Sequence, residues 1–244
     1  MDHLIYTALS GATHTLMEQQ ISANNLANVN TGGFRSDIAL SQADQVQGRG
    51  FATRFMSAEN QSGINDSAGI PEKTDRSLDV AIDGKGYIAV LDGAGKEVYT
   101  RNGNIQQDSE GQLTINGYPV LGDNGPIVLP PNALASFGTD GTLSVTPDDG
   151  DVTGTMDVDR LKLVDIPVNN LAKNAQGMLV TANGVPAGVD EDIKVSGGYL
   201  ESSNVSAVGE MMASISLNRQ FESQIKMMKA AEDLSDYGNR LLEG

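Results

Sequence analysis

The chain has 244 residues, with 32 Asp plus Glu against 16 Lys plus Arg, and neither cysteine nor tryptophan. A formal charge of −16 argues against non-specific binding to DNA, RNA or anionic lipid, which needs a cationic surface. The missing cysteines remove disulfides, thiolate zinc sites and cysteine nucleophiles, and two histidines, His3 and His14, leave little material for imidazole chemistry.

Residues 1–36 carry two acids and one base, Arg35, and no proline. Ile5, Leu9, Ala12, Leu16, Gln19, Ala23, Leu26 and Asn30 alternate at spacings of four and three, a heptad seam that predicts a helix. Asp2 is a candidate N-cap, and Gly32-Gly33 ends the run. The opening has no basic cluster and its apolar residues are broken by polar ones, so no secretory signal is expected there. No stretch of the chain is long and apolar enough to span a bilayer.

Residues 37–77 are rich in Gln, Ser, Ala and Gly without a clear period. They are expected to form an extended connector, with a candidate strand at Phe51–Met56. Residues 78–200 read as a β-domain. Short alternating runs are separated by Asp92-Gly93-Ala94-Gly95, Asp108-Ser109-Glu110-Gly111, Asn116-Gly117, Asp123-Asn124-Gly125, Asp140-Gly141 and Asn183-Gly184. Asn116-Gly117, between Leu113-Thr114-Ile115 and Tyr118-Pro119-Val120, is the best hairpin candidate. The span 37–204 holds 24 acids, 11 bases, 22 of the 28 glycines and every proline. Residues 201–244 return to near-neutral, proline-free helical spacing, with Val208, Met211, Met212, Ile215, Leu217, Phe221, Ile225, Met228, Ala231, Leu234 and Leu241 recurring. Asn204 or Ser206 could cap that helix. The fold expected is therefore α+β: long N- and C-terminal helices pairing as a coiled-coil-like layer, with a central, mainly antiparallel β-domain.

Fragments that look catalytic fail on their context. Gly84-Lys85-Gly86 begins like a dinucleotide fingerprint, but strand-like Tyr87-Ile88-Ala89-Val90 follows where a helix N-terminus would be needed. Gly95-Lys96 is followed by Glu97, whose charge would repel phosphates. Asp148-Asp149-Gly150-Asp151 lacks the regular spacing and closing glutamate of a calcium loop. His3 and His14 stand three helical turns apart. No Gly-x-Ser-x-Gly elbow occurs. Catalytic, cofactor-binding and metal-binding residues are all expected to be absent, and pattern alone points to a self-associating or helix-docking protein.

Three segments carry a resemblance that covers nearly the whole chain. Ala23-Asn24-Asn25-Leu26-Ala27-Asn28-Val29-Asn30-Thr31-Gly32-Gly33-Phe34 is similar to the N-terminal signature of the bacterial flagellar rod and hook family. Gly198-Tyr199-Leu200-Glu201-Ser202-Ser203-Asn204-Val205 resembles its C-terminal signature. Leu78-Asp79-Val80-Ala81-Ile82-Asp83-Gly84-Lys85-Gly86-Tyr87 and Tyr99-Thr100-Arg101-Asn102-Gly103 resemble its β-domain. Tyr87-Ile88 departs from the two aromatics many relatives carry there. The opening Met1-Asp2-His3-Leu4-Ile5-Tyr6-Thr7-Ala8 resembles the proximal-rod form rather than the distal-rod or hook form.

The resemblance implies a structural axial subunit of the basal body. It would be exported by the flagellar type III apparatus without a cleaved signal, and would polymerise in the periplasm around the export channel and transmit torque. Its partners would be other copies of itself, neighbouring rod proteins and the export apparatus, with no nucleic acid and no membrane insertion. The assembly residues expected are Leu9, Leu16, Asn25, Leu26, Ala27, Asn28, Thr31, Gly33 and Phe34, then Leu200, Glu201, Ser203, Asn204, Val205, Ile215, Phe221, Ile225 and Met228. Leu26 and Phe34 are expected as buried anchors. The reading from a different class is a secreted β-domain that binds a surface or glycan ligand, with the helices as its stalk.

Overall fold

The computed structural model describes residues 2–45, 55–59, 63–130, 133–147, 155–174 and 176–243. The acidic turn at Asp148–Asp151 and residues 51–54 of the candidate strand lie outside them. Among the described residues, two α-helices and a set of short strands, every paired one antiparallel, make an α+β fold. Among the described residues no helix is long and apolar enough to cross a membrane.

The chain divides into two compact units. The first contains Met1–Val29, Ser36–Asn65 and Val205–Gly244. Its helices are α1, Asp2–Ala27, and α2, Ala207–Glu243, about 40 and 55 Å long at 1.5 Å per residue. Ser206 opens α2: its carbonyl accepts from Glu210 N, and its hydroxyl accepts from Gly209 N at 3.3 Å. Of the two candidate caps, Ser206 therefore takes the position. α1 ends at Ala27, well before Gly32-Gly33, because Asn28 turns back on the last turn, its amide donating to Asn24 O at 2.9 Å.

The expected connector is not featureless. Asp37–Ile38 pairs with Gly63–Ile64, and Ser41–Gln45 pairs with Phe55–Glu59. Pro71–Lys73 pairs with Tyr199–Glu201. The connector strands are short, and Ser41–Gln45 and Pro71–Lys73 are mostly polar, so no period marked them in the sequence.

The second unit contains Asn30–Arg35 and Asp66–Asn204. Its largest sheet has five strands in the order Leu163–Val164, Tyr87–Leu91, Glu97–Thr100, Leu179–Thr181, Leu171–Lys173. A second sheet joins Ala133–Phe137, Thr142–Pro147 and Met156–Arg160. Val80, Ile88, Val90, Ile105, Leu113, Ile115, Val120, Leu143, Leu161 and Leu163 build the core, each at most 1% exposed. Tyr87 and Tyr99 supply its large buried rings. Ile115 pairs with Tyr118 across Asn116-Gly117, whose φ values of 52° and 81° are those of a type I′ hairpin.

Several polar side chains of this unit serve its turns. Asp92 Oδ1 accepts from Ala94 N and Lys96 N, both at 2.8 Å, and Gly95 follows at φ 75°. Asp108 repeats the device on Glu110 N and Gln112 N, with Gly111 at φ 86°. Asn174 does the same for Gln176 N and Met178 N, with Gly177 at φ 79°. Each side chain replaces a missing backbone acceptor in a four-residue reversal. Gly84-Lys85-Gly86 lies in the reversal between strands Val80–Asp83 and Tyr87–Leu91.

Candidate assembly site

The two helices run antiparallel. Thr15 Oγ1 donates to Gln224 Oε1 at 3.2 Å, Gln19 Nε2 donates to Asn218 Oδ1 at 2.9 Å, and Ser22 Oγ lies 2.6 Å from Glu210 Oε2. Among the described residues, those buried on α1 are Ala8, Ala12, Thr15, Ser22 and Asn25, and those on α2 are Gln224 and Ala231. Small residues let the helices approach closely. A Cβ on Gly11 would stand 2.9 Å from Gln224 Nε2.

This corrects the expected seam by one flank. Ala12, Gln19 and Leu26 are buried or half-buried as the heptad requires, but Leu9, Leu16 and Ala23 are exposed and Ala8, Thr15 and Ser22 take their place. Both flanks have heptad spacing, so periodicity could not choose between them. The chemistry opposite does. Thr15 and Ser22 carry the hydroxyls that Gln224 and Glu210 need, and leucine has none.

Asn25 binds the end of the motif to the strand that follows. Its Oδ1 accepts from Asp37 N at 2.8 Å and its Nδ2 donates to Asp37 O at 3.0 Å, the pattern of one more strand residue. The same Nδ2 reaches Glu210 Oε1 at 3.1 Å, in the first turn of α2. An acid suits that helix end.

In the second unit, residues 30–35 and 198–204 form a clasp. Gly33 N donates to Glu201 O at 2.8 Å, and Asn204 N donates to Phe34 O at 3.2 Å. Gly33, at φ 67°, lies against the Arg101–Asn102 peptide. Arg35, 0% exposed in its side chain, places Nη1 at 2.6 Å from Glu201 Oε1 and 2.7 Å from Ser67 O. The same Glu201 oxygen accepts from Gly69 N at 2.8 Å, while Arg101 Nε stands 3.4 Å from Oε2. Asn204 Nδ2 also donates to Ser67 O, at 2.9 Å. Lys173 donates to Arg35 O at 2.8 Å and sits 4.3 Å from the centroid of the Phe34 ring. Nothing in composition or spacing singled out Arg35 or Arg101. The one available signal was that Arg35 is the lone base in residues 1–36.

Burial acts on the groups of this unit. It pulls the Arg101 guanidinium below its usual range, opposed by the Glu201 carboxylate. It pushes the Tyr87 phenol well up, helped by its 2.7 Å hydrogen bond to Asp66. Tyr99 is pushed up to about 12, again chiefly by burial, although the Ala187 N–H it accepts favours the phenolate. Both phenols therefore ionise more easily in the unfolded chain. Stability from them is intact below about pH 10 and is lost as pH rises from there through the folded values. Melting temperatures measured between about pH 8 and about pH 11 should fall at the alkaline end, and Phe at both positions should flatten that fall.

A cavity of about 690 Å³ opens between the Leu91–Val98 and Asn174–Pro186 hairpins. Its lining includes Asp92, Asn174 and Thr181, whose side chains already serve their own turns. The expected assembly residues fall into three groups. Asn25, Gly33 and Glu201 are buried; Leu26, Asn28, Phe34, Leu200, Ser203, Asn204, Val205, Phe221 and Met228 are half-buried; Leu9, Leu16, Ala27, Thr31, Ile215 and Ile225 are exposed. Leu26 and Phe34 are thus not fully buried within the chain.

Residues 5–35 match the family described as "Flagella basal body rod protein", residues 81–145 the "Flagellar hook protein FlgE/F/G D1 domain", and residues 196–241 the "Flagellar basal body rod FlgEFG protein C-terminal". Over 99% of both chains, the sequence is 39% identical to the flagellar basal-body rod protein FlgF of Escherichia coli (strain K12) and 39% identical to FlgF of Salmonella typhimurium. It is 30% identical to the rod protein FlgG of Bacillus subtilis (strain 168), over 94% of this chain and 95% of that one.

Proposed function

Since the chain belongs to the flagellar basal-body rod protein family, among its FlgF-like members, and is a structural rod subunit, we propose that it polymerises through its two terminal helices. In this reading α1 and α2 join those of neighbouring copies and of other rod proteins in a coiled-coil-like inner layer around the export channel. The 78–200 β-domain is the displayed outer part, and the residues of the two signatures lock each subunit. The subunit leaves the cell interior through the flagellar type III apparatus without a cleaved signal, assembles in the periplasm and carries torque.

One observation carries the proposal: many large apolar residues of both helices are uncovered. Tyr6, Leu9 and Leu16 on α1, and Val208, Met211, Met212, Ile215, Ile225, Met227, Leu234 and Tyr237 on α2, are 41–66% exposed. Covering each would contribute roughly 1 kcal/mol, since full burial of such a side chain is worth about 1.5–3 kcal/mol. Many such residues on one helix pair mark a surface awaiting neighbours. The helices are also close to neutral, so crowding copies of them brings little repulsion, while the acidic charge stays in the rest of the chain.

Leu9→Asp combined with Ile215→Asp should abolish incorporation into basal bodies and motility in soft agar, while leaving the melting of the purified monomer unchanged. Normal motility with a stably expressed double variant would overturn the proposal. Both side chains are exposed in the monomer, so a folding defect is not expected.

A further inference from the structure

We infer that Gln224 and Glu210 set the rotational phase of α1, and by doing so keep Leu9 and Leu16 turned outward. The inference deepens the proposed assembly role, because it rests on those leucines meeting neighbours rather than α2. Two rows of α1 have the spacing to complete a seam with Ala12, Gln19 and Leu26: Leu9, Leu16 and Ala23 on one flank, and Ala8, Thr15 and Ser22 on the other. They differ by a turn of about 100° around the helix axis. On hydrophobicity alone the leucine flank wins, since Leu217, Phe221 and Met228 of α2 fall in one seam, at alternating spacings of four and three, with Glu210, Gln224 and Ala231.

The structure takes the other flank. Gln224 is 8% exposed and Thr15 is 0% exposed, and the Thr15 hydroxyl shares its proton between Gly11 O at 2.9 Å and Gln224 Oε1 at 3.2 Å. Turning Leu16 inward would strand the buried Gln224 amide, and an unsatisfied buried polar group costs about 1–3 kcal/mol. It would also break the hydrogen bonds that the half-buried Glu210 carboxylate accepts from Ser22 and Asn25. Gly11 belongs to the same device, for only a residue without Cβ leaves Gln224 Nε2 its full space. Buried polar residues that fix register at the expense of stability are known in helix pairs; here they fix which face is inside.

The chain has no cysteine, so single cysteines report the phase cleanly. Ala23→Cys probes the outward leucine flank, and Ala8→Cys the inward one. In the dilute full-length monomer, iodoacetamide should alkylate the Ala23→Cys variant quickly and the Ala8→Cys variant slowly. In the volume-matched backgrounds Gln224→Met and Thr15→Val the order should reverse, each rate changing by at least about fivefold, with helical circular dichroism unchanged. Unchanged rates would overturn the inference. Fast labelling at both sites with lost helicity would also overturn it, by showing that the pair holds the helices together rather than setting their phase. The monomer experiment is independent of polymerisation, so its outcome separates from that of the Leu9 and Ile215 substitutions.

Discussion

Replacing Arg35 by Ala should destabilise the β-rich unit by about 3–5 kcal/mol, the range for removing one partner of a buried ion pair. The guanidinium is fully buried, and among the described residues its loss leaves Glu201 with only the 3.4 Å approach of Arg101 as a charged partner. It also takes from the Ser67 carbonyl a side-chain donor that it shares with Asn204. Urea unfolding followed by near-ultraviolet circular dichroism of the core tyrosines reads the shift directly. Arg35→Lys should recover only part of it, because both contacts are made by Nη1 at the tip of the longer arginine, a position that the shorter lysine side chain does not reach. A midpoint within error of the parent for Arg35→Ala would mean that the clasp contributes nothing to folding.

The second large effect should come from Gly33→Ala. A Cβ there would stand 2.2 Å from the Arg101 carbonyl carbon and 2.3 Å from Asn102 N, both backbone atoms that no rotamer change can move. The residue also holds φ at 67°, a region that L side chains avoid. The segment 30–35 must then lift, taking with it the Gly33–Glu201 hydrogen bond and the Arg35 pair. A loss of about 3 kcal/mol or more is expected. Gly32→Ala is the control. Its Cβ would meet Asn102 Oδ1 and Glu201 O at 3.4 Å, and the position does not have a positive φ, so less than about 1 kcal/mol should be lost. Equal urea midpoints for the two variants would refute this account of the glycine pair.

That contrast also shows what the sequence makes legible. The existence of both helices, the turns, and the hairpin at Asn116-Gly117 follow from local chemistry that each segment carries by itself, such as an Asp four residues before the N–H it accepts. Three things depended on partners distant in the chain. The choice between the Leu9–Leu16–Ala23 and Ala8–Thr15–Ser22 flanks is made by hydroxyl acceptors on α2. The burial of Arg35 is made possible by Glu201. The strand Pro71–Lys73 exists because Tyr199–Glu201 lies beside it. Gly33 was visible as a helix terminator, yet its conformation serves the docking of residues 30–35 rather than the end of a helix that stops at Ala27.

The clasp has a consequence for the order in which the chain folds. Its hydrogen bonds join residues very far apart in sequence: Gly69 to Glu201, Ser67 to Asn204 and Arg35 to Lys173 are separated by 132, 137 and 138 positions. Contacts of such range carry the full entropy of loop closure before they return any stability, and they slow folding. Residues 30–35 therefore have no place to settle until residue 204 is available. A chain synthesised or threaded from its N-terminus stays open along that stretch until most of it has emerged, and the β-rich unit closes last at the residues that flank it.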